Sequence, residues 1–535
     1  MNKKIGLCLL PILVLSSCGG EAPSTTSSTT SSSSEGGQKE LVVVEEREVQ
    51  YLNDNYQNYY QIFPYSYADS DGDGIGDLRG IIDKFDYIKN LNVTGLWLTP
   101  VTKAYSYHKY DTIDYKDIDP IFGDLDDYDE LVRLCHENHM KIIVDLVLNH
   151  SSTRHEWFNK CMNAHTNYDE DNQYYDYYVV EEYEGVSKQG YYRYGDFLYE
   201  ARFWDQMPDL NLQGVIDGTN EYLIDDITDI MSFWLIDHDV DGFRLDACTS
   251  FFTDNYDKNY QFLNWVKEKT EEIKPGSYVI GEVLESGVIY SKYYKNTNVD
   301  SYFCFDAAGK YNNMVYAPVV HESAVEVNSF IARDLRLSHG GIPAPTIANH
   351  DIGRSCRTDL SNNKLQHAVL SLGVGSPFEY YGEEIGMKTV STSPEDVGFR
   401  LPLLWDDKYT CKPISGTYAE KDAYAWGSVK DQKDDPNSML NYFSKCYRLR
   451  LENPEIARGT CELIYQSEDE SCAVLKRSYN NSDVYVVMNF STTLENAVDI
   501  SEYNAKVVGD LSVGETPYYQ DGKLVMPPQS ILILH

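Results

Sequence analysis

The sequence is poor in positive charge. Its 45 lysines and arginines stand against 84 aspartates and glutamates, a formal net charge of −39. A surface of that sign repels phosphate backbones and anionic headgroups, which argues against nucleic acid or an anionic lipid surface as a partner. It leaves a neutral ligand, a cation or plain solubility. Cysteine is sparse and unpatterned. The 11 cysteines show no CxxC and no Cys/His spacing, so no zinc site is expected. Setting aside Cys8 and Cys18 near the N-terminus leaves 11 − 2 = 9, an odd number, so at least one thiol is unpaired within the chain. A hairpin between Cys461 and Cys472 would let those two pair. The leading apolar run, Ile5 to Leu15, is shorter than the about 20 residues that span a bilayer. No phosphate-binding loop, Ser/His triad context or redox cofactor fingerprint is found.

What is present is a folded chain, 42% hydrophobic and 13% aromatic. Its 535 residues exceed one simple core, so two or three domains are expected. Tyrosine is abundant at 45 residues. A flat apolar ring with a polar tip suits sugar rings, although many of these will be core. Residues 1–17, with Lys3 and Lys4 before the apolar run, read as an export signal. Leu15-Ser-Ser-Cys18 resembles the lipobox of bacterial lipoproteins, which implies lipidation of Cys18. Residues 18–47, with unbroken hydroxyls from Ser24 to Ser34, then form a flexible tether.

Asp69-Ser-Asp-Gly-Asp-Gly-Ile-Gly-Asp77 sets acidic groups at alternate positions around tight glycine turns. It follows the calcium-loop pattern of an EF-hand through its ninth position, with Ile75 offering a carbonyl. Gly80 stands where the bidentate glutamate would be, and no helix-loop-helix pair surrounds it. A calcium loop in another fold is expected, with Asp69, Asp71, Asp73, Ile75 and Asp77 as ligands.

Apolar strand segments recur at Tyr59 to Pro64, Asn92 to Val101, Lys141 to His150, Val240 to Ala247, Ser277 to Val283, Tyr302 to Phe305, Thr346 to His350 and Phe378 to Tyr381. Helical stretches such as Leu78 to Leu91, Thr219 to Ile236 and Asn255 to Ile273 lie between them. Eight βα units predict an α/β protein with a (β/α)8 barrel, active groups gathering at the carboxyl ends of its strands. Pattern alone also admits a doubly wound sheet. Residues 48–150 and 204–458 would form the barrel. Residues 151–203 are too many for a βα loop and read as a tyrosine-dense excursion domain after the third strand. Residues 459–535 turn to β-rich text, a separate antiparallel sandwich.

The strand ends carry Asp145 and His150, Arg244 and Asp246, Glu282, and His350 and Asp351. On a strand, residues two apart share a face, so Arg244 and Asp246 point the same way and the guanidinium keeps the carboxylate ionised. Glu282, in Val279-Ile-Gly-Glu-Val283, has apolar neighbours that raise its pKa for proton donation. Paired carboxylates, one ionised and one protonated, are the equipment of glycoside hydrolysis.

Five segments stand in order: Asp145-Leu-Val-Leu-Asn-His150, Met207-Pro-Asp-Leu-Asn211, Gly242-Phe-Arg-Leu-Asp246, Gly281-Glu-Val283 and Ala348-Asn-His-Asp351. With them the chain from about residue 48 onward resembles the α-amylase superfamily, glycoside hydrolase family 13. The resemblance implies a retaining mechanism with Asp246 as nucleophile, Glu282 as general acid/base and Asp351 as transition-state stabiliser. It implies that Arg244 orients Asp246 and that Asp145, His150 and His350 serve the sugar-binding subsite. In Tyr107-His-Lys-Tyr-Asp111, His108 and Tyr110 match the family's subsite histidine and stacking tyrosine.

The Asp69–Asp77 loop is similar to that of the oligo-1,6-glucosidase branch, whereas Ala247 after the nucleophile and His108 are more amylase-like. The family's usual second calcium site, at Asn149, takes a histidine where this chain has Ser250, so one Ca²⁺ site is expected and the second is in question. The expected protein is an exported, lipid-anchored α-amylase cutting α-1,4 bonds in starch and maltodextrins. An α-glucosidase, oligo-1,6-glucosidase or glucanotransferase acting on short oligosaccharides is the nearest rival. A non-catalytic surface glucan-binding protein is the rival of another class.

Overall fold

The computed structural model describes residues 39–307, 314–356, 359–390, 395–406, 410–414 and 420–535. The leader, Cys18 and the tether through residue 38 lie outside the described residues.

Eight parallel strands form the centre: β1 (Tyr59–Ile62), β2 (Gly95–Leu98), β3 (Lys141–Leu146), β4 (Gly242–Leu245), β5 (Tyr278–Gly281), β6 (Ser301–Cys304), β7 (Ala344–Pro345) and β8 (Phe378–Tyr380). Each pairs with the next in chain order from β1 to β7, and β8 pairs back onto β1. A single parallel bridge, Thr346 to Phe378, joins the seventh strand to the eighth. The sheet therefore closes into a (β/α)8 barrel. A doubly wound sheet would have left two edges.

The strands are buried on both faces, which is why their text is almost continuously apolar. Inside the barrel, Tyr59 stacks on Phe378 with ring centroids 4.4 Å apart and on Tyr278 at 5.4 Å, and Trp97, Ile143, Ile280 and Phe303 share that core. Outward residues such as Leu96, Ile142, Phe243 and Val279 join the larger core under the helices. Gly242 opens β4 at φ +154, and a Cβ there would lie 1.8 Å from the Tyr278 carbonyl oxygen. Only glycine allows β4 and β5 to approach at this point.

Two helical expectations are refined. Leu78 to Leu91 is two short helices, Leu78–Asp83 and Phe85–Asn90. The helix after the excursion spans Glu221–Ser232 and widens into a π turn at Phe233–Asp237.

Within 151–203 stand a helix, Glu156–Thr166, and a three-stranded antiparallel sheet of Val180–Glu182, Phe197–Glu200 and Tyr191–Tyr194. The C-terminal strands form a five-stranded antiparallel sheet and part of a four-stranded one. These share a core that includes Val474, Val487, Leu524, Met526 and Leu532.

Two expectations are corrected here. The stretch 40–47 is not free tether: Glu40 and Leu41 pair with Tyr519 and Tyr518, Val42 joins the sandwich core, and Arg47 binds Glu455 at 3.0 Å. Cys461 and Cys472 do not pair. In the hairpin register Cys461 faces Arg477, while Cys472 lies near the turn and faces Asn489 on the next strand. All nine cysteines of the described residues are free thiols.

Candidate active site

The site is built on β4. Arg244 points into the barrel mouth, fully buried, and one guanidinium meets three carboxylates. Its Nη1 donates to Asp145 Oδ1 at 2.8 Å and Asp246 Oδ1 at 2.6 Å, and its Nη2 lies 2.9 Å from Glu282 Oε2. The parallel register sets this arrangement. Arg244 is level with Asp145 on β3 and Ile280 on β5, and Glu282 follows one residue after β5 ends.

Burial pushes the pKa of all three carboxyls up, and Arg244 opposes it. One cation cannot hold three buried carboxylates ionised, so the cluster retains a proton. Asp145 accepts from Arg244, from the Trp97 indole N–H at 3.2 Å and from the Tyr110 hydroxyl at 3.0 Å, all favouring its charged form. The Arg244 hydrogen bond likewise favours ionised Asp246. On Glu282, the Ala247 N–H at 3.2 Å and Arg244 Nη2 both fall on Oε2, which leaves Oε1 for the proton. Asp246 and Glu282 thus stand side by side on one guanidinium, each raised by burial and opposed by Arg244.

Asp351 follows β7 and is the open carboxylate, its side chain 39% exposed. Arg400 Nη2 binds its Oδ1 at 2.7 Å and His350 Nε2 binds its Oδ2 at 2.9 Å. Burial pulls its carboxyl upward, but these two partners outweigh that and hold it well below the usual carboxylate range. The His350 ring is set by the Gln61 amide at 2.8 Å from Nδ1 and by the stacked Tyr110 ring, 5.5 Å away at 9°.

A cavity of about 570 Å³ opens over these groups, lined by Asp246, Glu282, Asp351, His108, Tyr110 and His150 among others. Burial lowers both His108 and His150 to about 4, with Arg400 adding to the effect on His108. Each ring is neutral near pH 7 and offers one donor and one acceptor. His108 Nδ1 accepts from the Tyr110 N–H at 3.2 Å, which leaves Nε2 as its donor. His150 Nε2 is buried without a partner among the described residues.

Asp145 and His350, expected to contact sugar, lie at the cavity floor among the groups that bound it. Asp145 holds Arg244 and Tyr110, and His350 holds Asp351, so both position neighbouring groups of the site. Arg400, Asp396 and Tyr107 belong to the site and were not anticipated. Arg400 Nη1 binds Asp396 at 2.7 Å and the Tyr107 hydroxyl at 2.6 Å, while Nη2 holds Asp351. Tyr107 opens the Tyr107–Asp111 motif, whereas Arg400 lies after the eighth strand, 49 residues from Asp351, with no local pattern to mark it.

The acidic loop assembles in part. Oxygens of Asp69, Asp71 and Asp77 lie within 4.8 Å of one another, a set that fits a hard divalent cation. Asp73 is not among them, a departure from the expected ligand set. Its Oδ1 accepts from the Ile75 N–H at 2.6 Å, and its carbonyl accepts from Lys412 Nζ at 2.6 Å. Asp77 also caps the helix Leu78–Asp83 through the Gly80 N–H at 2.6 Å. At the other expected site, Asn149 donates to Asp209 Oδ1 at 3.3 Å, which ties the Met207–Asn211 segment to the end of β3.

A barrel whose strand ends bring Asp246, Glu282 and Asp351 together around one cavity of about 570 Å³, two of them on one guanidinium, has the active-site layout of a glycoside hydrolase. The profile of the alpha amylase catalytic domain matches residues 61–459. Alpha-amylase 3 of Dictyoglomus thermophilum is 33% identical over 492 residues, covering 89% of this chain and 92% of its own. An oligo-1,6-glucosidase of Parageobacillus thermoglucosidasius is 27% identical over 527 residues, covering 81% and 89%. Among solved structures, Eubacterium rectale Amy13B superposes with a TM-score of 0.82 at 32% identity over 91% of this chain and 97% of its own. The chain belongs to the α-amylase family, glycoside hydrolase family 13.

Proposed function

We propose that the protein is a retaining α-glucan hydrolase, an α-amylase that cleaves α-1,4 bonds of starch and maltodextrins through a covalent glycosyl-enzyme. One observation carries this reading: Asp246 and Glu282 share the one guanidinium of Arg244, which meets Asp246 Oδ1 at 2.6 Å and Glu282 Oε2 at 2.9 Å. A retaining pair works about 5–5.5 Å apart, whereas an inverting pair stands about 6.5–9.5 Å apart to admit water.

In the first step Asp246 attacks the anomeric carbon from the β face. The proton on Glu282 passes to the glycosidic oxygen, and the leaving sugar departs. Glu282, now ionised, takes a proton from water, which attacks the same carbon and releases the α-anomer. Both transition states carry positive charge on the sugar ring. Asp351, kept ionised by Arg400 and His350, faces that charge. His108 and His150, both neutral, hydrogen-bond the sugar hydroxyls, and the Tyr110 ring lies against its apolar face.

The α-1,4 assignment is supported by the relatives at 33% and 32% identity, one called an alpha-amylase, and by Ala247 after Asp246. Product analysis over time with soluble starch, maltoheptaose and isomaltotriose tests it. Mixed maltodextrins released early from starch are expected. Glucose released first from the short substrates would make it an α-glucosidase, and cleavage of isomaltotriose would overturn the α-1,4 assignment.

Calcium at Asp69, Asp71 and Asp77 would brace the loop that leads into the barrel's first helix. It would supply structure there, with no part in bond cleavage. With calcium at 100 times its Kd, the linkage is worth about 2.7 kcal/mol. Chelation is therefore expected to lower the Tm, and Asp71→Ala to make the Tm indifferent to chelator. An unchanged wild-type transition would remove the metal. Lipidation at Cys18 would place the enzyme outside the cytoplasm on a membrane anchor. Cys18→Ala is then expected to move the protein from the detergent to the aqueous phase, and no change in partition would rule the anchor out.

A further inference from the structure

The turn that follows β8 gathers buried charge. Glu379, Glu383 and Glu384 stand there with Arg354 and His367, all five at 5% exposure or less. Exchanging buried ion pairs for apolar side chains of similar volume is often neutral or stabilising, so stability does not account for five such groups in one place.

The His367 ring, on the helix Leu360–Leu372, has a carboxylate at each nitrogen. Its Nδ1 lies 2.8 Å from Glu379 Oε1 and its Nε2 3.8 Å from Glu383 Oε2. An ionised carboxylate only accepts, so a proton on each ring nitrogen suits both neighbours. Burial lowers the His367 pKa, but Glu379, Glu383 and Glu384 outweigh it and hold it above the ordinary value. The ring is thus a cation among carboxylates. Tyr447 donates to Glu379 Oε1 at 2.6 Å, and Tyr60 and Tyr87 donate to Glu384 Oε1 at 2.8 and 2.7 Å.

Two arms run from this turn to the catalytic groups. Glu383 Oε2 accepts from the Ser355 N–H at 3.2 Å and from the Ser355 hydroxyl, just beyond Asp351 in the chain. Arg354 stands 3.6 Å from Glu383 Oε1 and donates to the Tyr381 carbonyl at 2.6 Å. The Tyr381 hydroxyl in turn donates to the carbonyl of Leu401, the neighbour of Arg400, at 2.6 Å. One arm holds the loop that carries Asp351 and the other the segment that carries Arg400. Those two side chains meet at 2.7 Å beside the cavity.

We infer that Glu383, with His367 as its counter-cation, is a positioning residue for the reaction: fully buried itself, it sets Asp351 against Arg400 where the positive sugar ring forms. This rests on the stabilising role given to Asp351 above.

Glu383→Gln keeps the shape and an acceptor for Ser355 but loses the charge. Its kcat on maltoheptaose is expected to fall about 10–100-fold, the scale of a group misplaced by up to about 1 Å, with KM within a few-fold, because Asp351 acts on charge that exists only in the transition state. His367→Asn keeps a donor toward Glu379 without the charge and moves kcat the same way by less. Ser355→Ala and Tyr381→Phe each cut one arm and leave every buried charge in place, so they answer where a charge variant fails to fold. Each is expected to lower kcat about threefold to tenfold, the scale of one hydrogen bond. The decisive readout is a cycle with Asp351→Asn on α-maltosyl fluoride, whose leaving group needs no proton. A residue that acts through Asp351 adds about twofold or less to that loss, whereas one that acts elsewhere adds its full factor. Nitrogen-15 NMR, with the His367 ring assigned by its loss in His367→Asn, is expected to show both ring nitrogens protonated at pH 7. Additive losses in the cycle, wild-type kcat in both arm variants, or a neutral His367 ring overturns the proposal. A wild-type enzyme that turns over neither substrate would instead overturn the α-glucan reading, and the positioning role with it.

Discussion

Asp246→Asn is expected to abolish turnover while leaving oligosaccharide binding within a few-fold of wild type. Asparagine keeps the shape of aspartate and can still accept from Arg244 through its carbonyl, so the barrel mouth need not rearrange. What it loses is the charge that attacks the anomeric carbon. Removal of a covalent nucleophile in other hydrolases costs about 10⁴-fold or more in kcat. A loss of that size, read on maltoheptaose with calorimetric binding in parallel, supports the assignment. Residual hydrolysis above about 1% of wild type would sink it. The stereochemistry gives a second readout. Wild-type products should appear as the α-anomer by NMR before mutarotation. With Asp246→Ala, azide placed in the vacated space should yield a β-glycosyl azide, because it attacks from the face where Asp246 stood.

The barrel and the three carboxylates were legible in the sequence because both depend on short-range text. A buried parallel strand needs a run of apolar residues, and the active groups sit within a few residues of where that run stops. Asp246 and Glu282 each follow the last strand residue by one. What was not legible depends on distant packing. Arg400 reaches Asp351 only because a segment after β8 returns over the barrel mouth. Tyr110 Oη bridges toward Asp145 and His350 across strands distant in the chain, a contact that no local pattern announces. Glu40 and Leu41 follow a hydroxyl-rich run and read as its continuation, yet their partners are Tyr518 and Tyr519 at the other end of the chain. Cys461 and Cys472 failed to pair because of register: one lies at the open end of its hairpin and the other at the turn. In the acidic loop, alternation marked five candidate ligands, of which the oxygens of Asp69, Asp71 and Asp77 come together. Asp73 lies outside that set, its Oδ1 accepting from the Ile75 N–H.

Arg244→Leu is expected to damage both stability and catalysis, with a pH dependence that separates this residue from an ordinary core arginine. Breaking a buried ion pair by removing one partner costs about 3–5 kcal/mol, and here the cation removed serves three carboxylates. The sign follows from linkage. Each of these carboxyls has its folded pKa raised by burial, above an unfolded value near 4. A raised carboxyl binds more protons folded than unfolded, so its contribution to stability is fully present below about pH 4 and is lost as pH rises through the folded value. Without Arg244 the principal opposition to burial is gone and the folded values rise further. The Tm deficit of Arg244→Leu is therefore larger at pH 8 than at pH 5. Catalysis moves the same way. Asp246 must be ionised to attack, so the acid limb of kcat/KM shifts to higher pH, with a loss at the optimum of about 10²–10³-fold, the scale of one preorganised charge contact. Arg244→Lys restores one positive charge without the planar fork that serves three acceptors at once. It should recover more of the Tm than of the rate. A Tm deficit equal at both pH values, or an acid limb that stays in place, would mean that Arg244 acts only as packing and that the protonation of the cluster is set elsewhere.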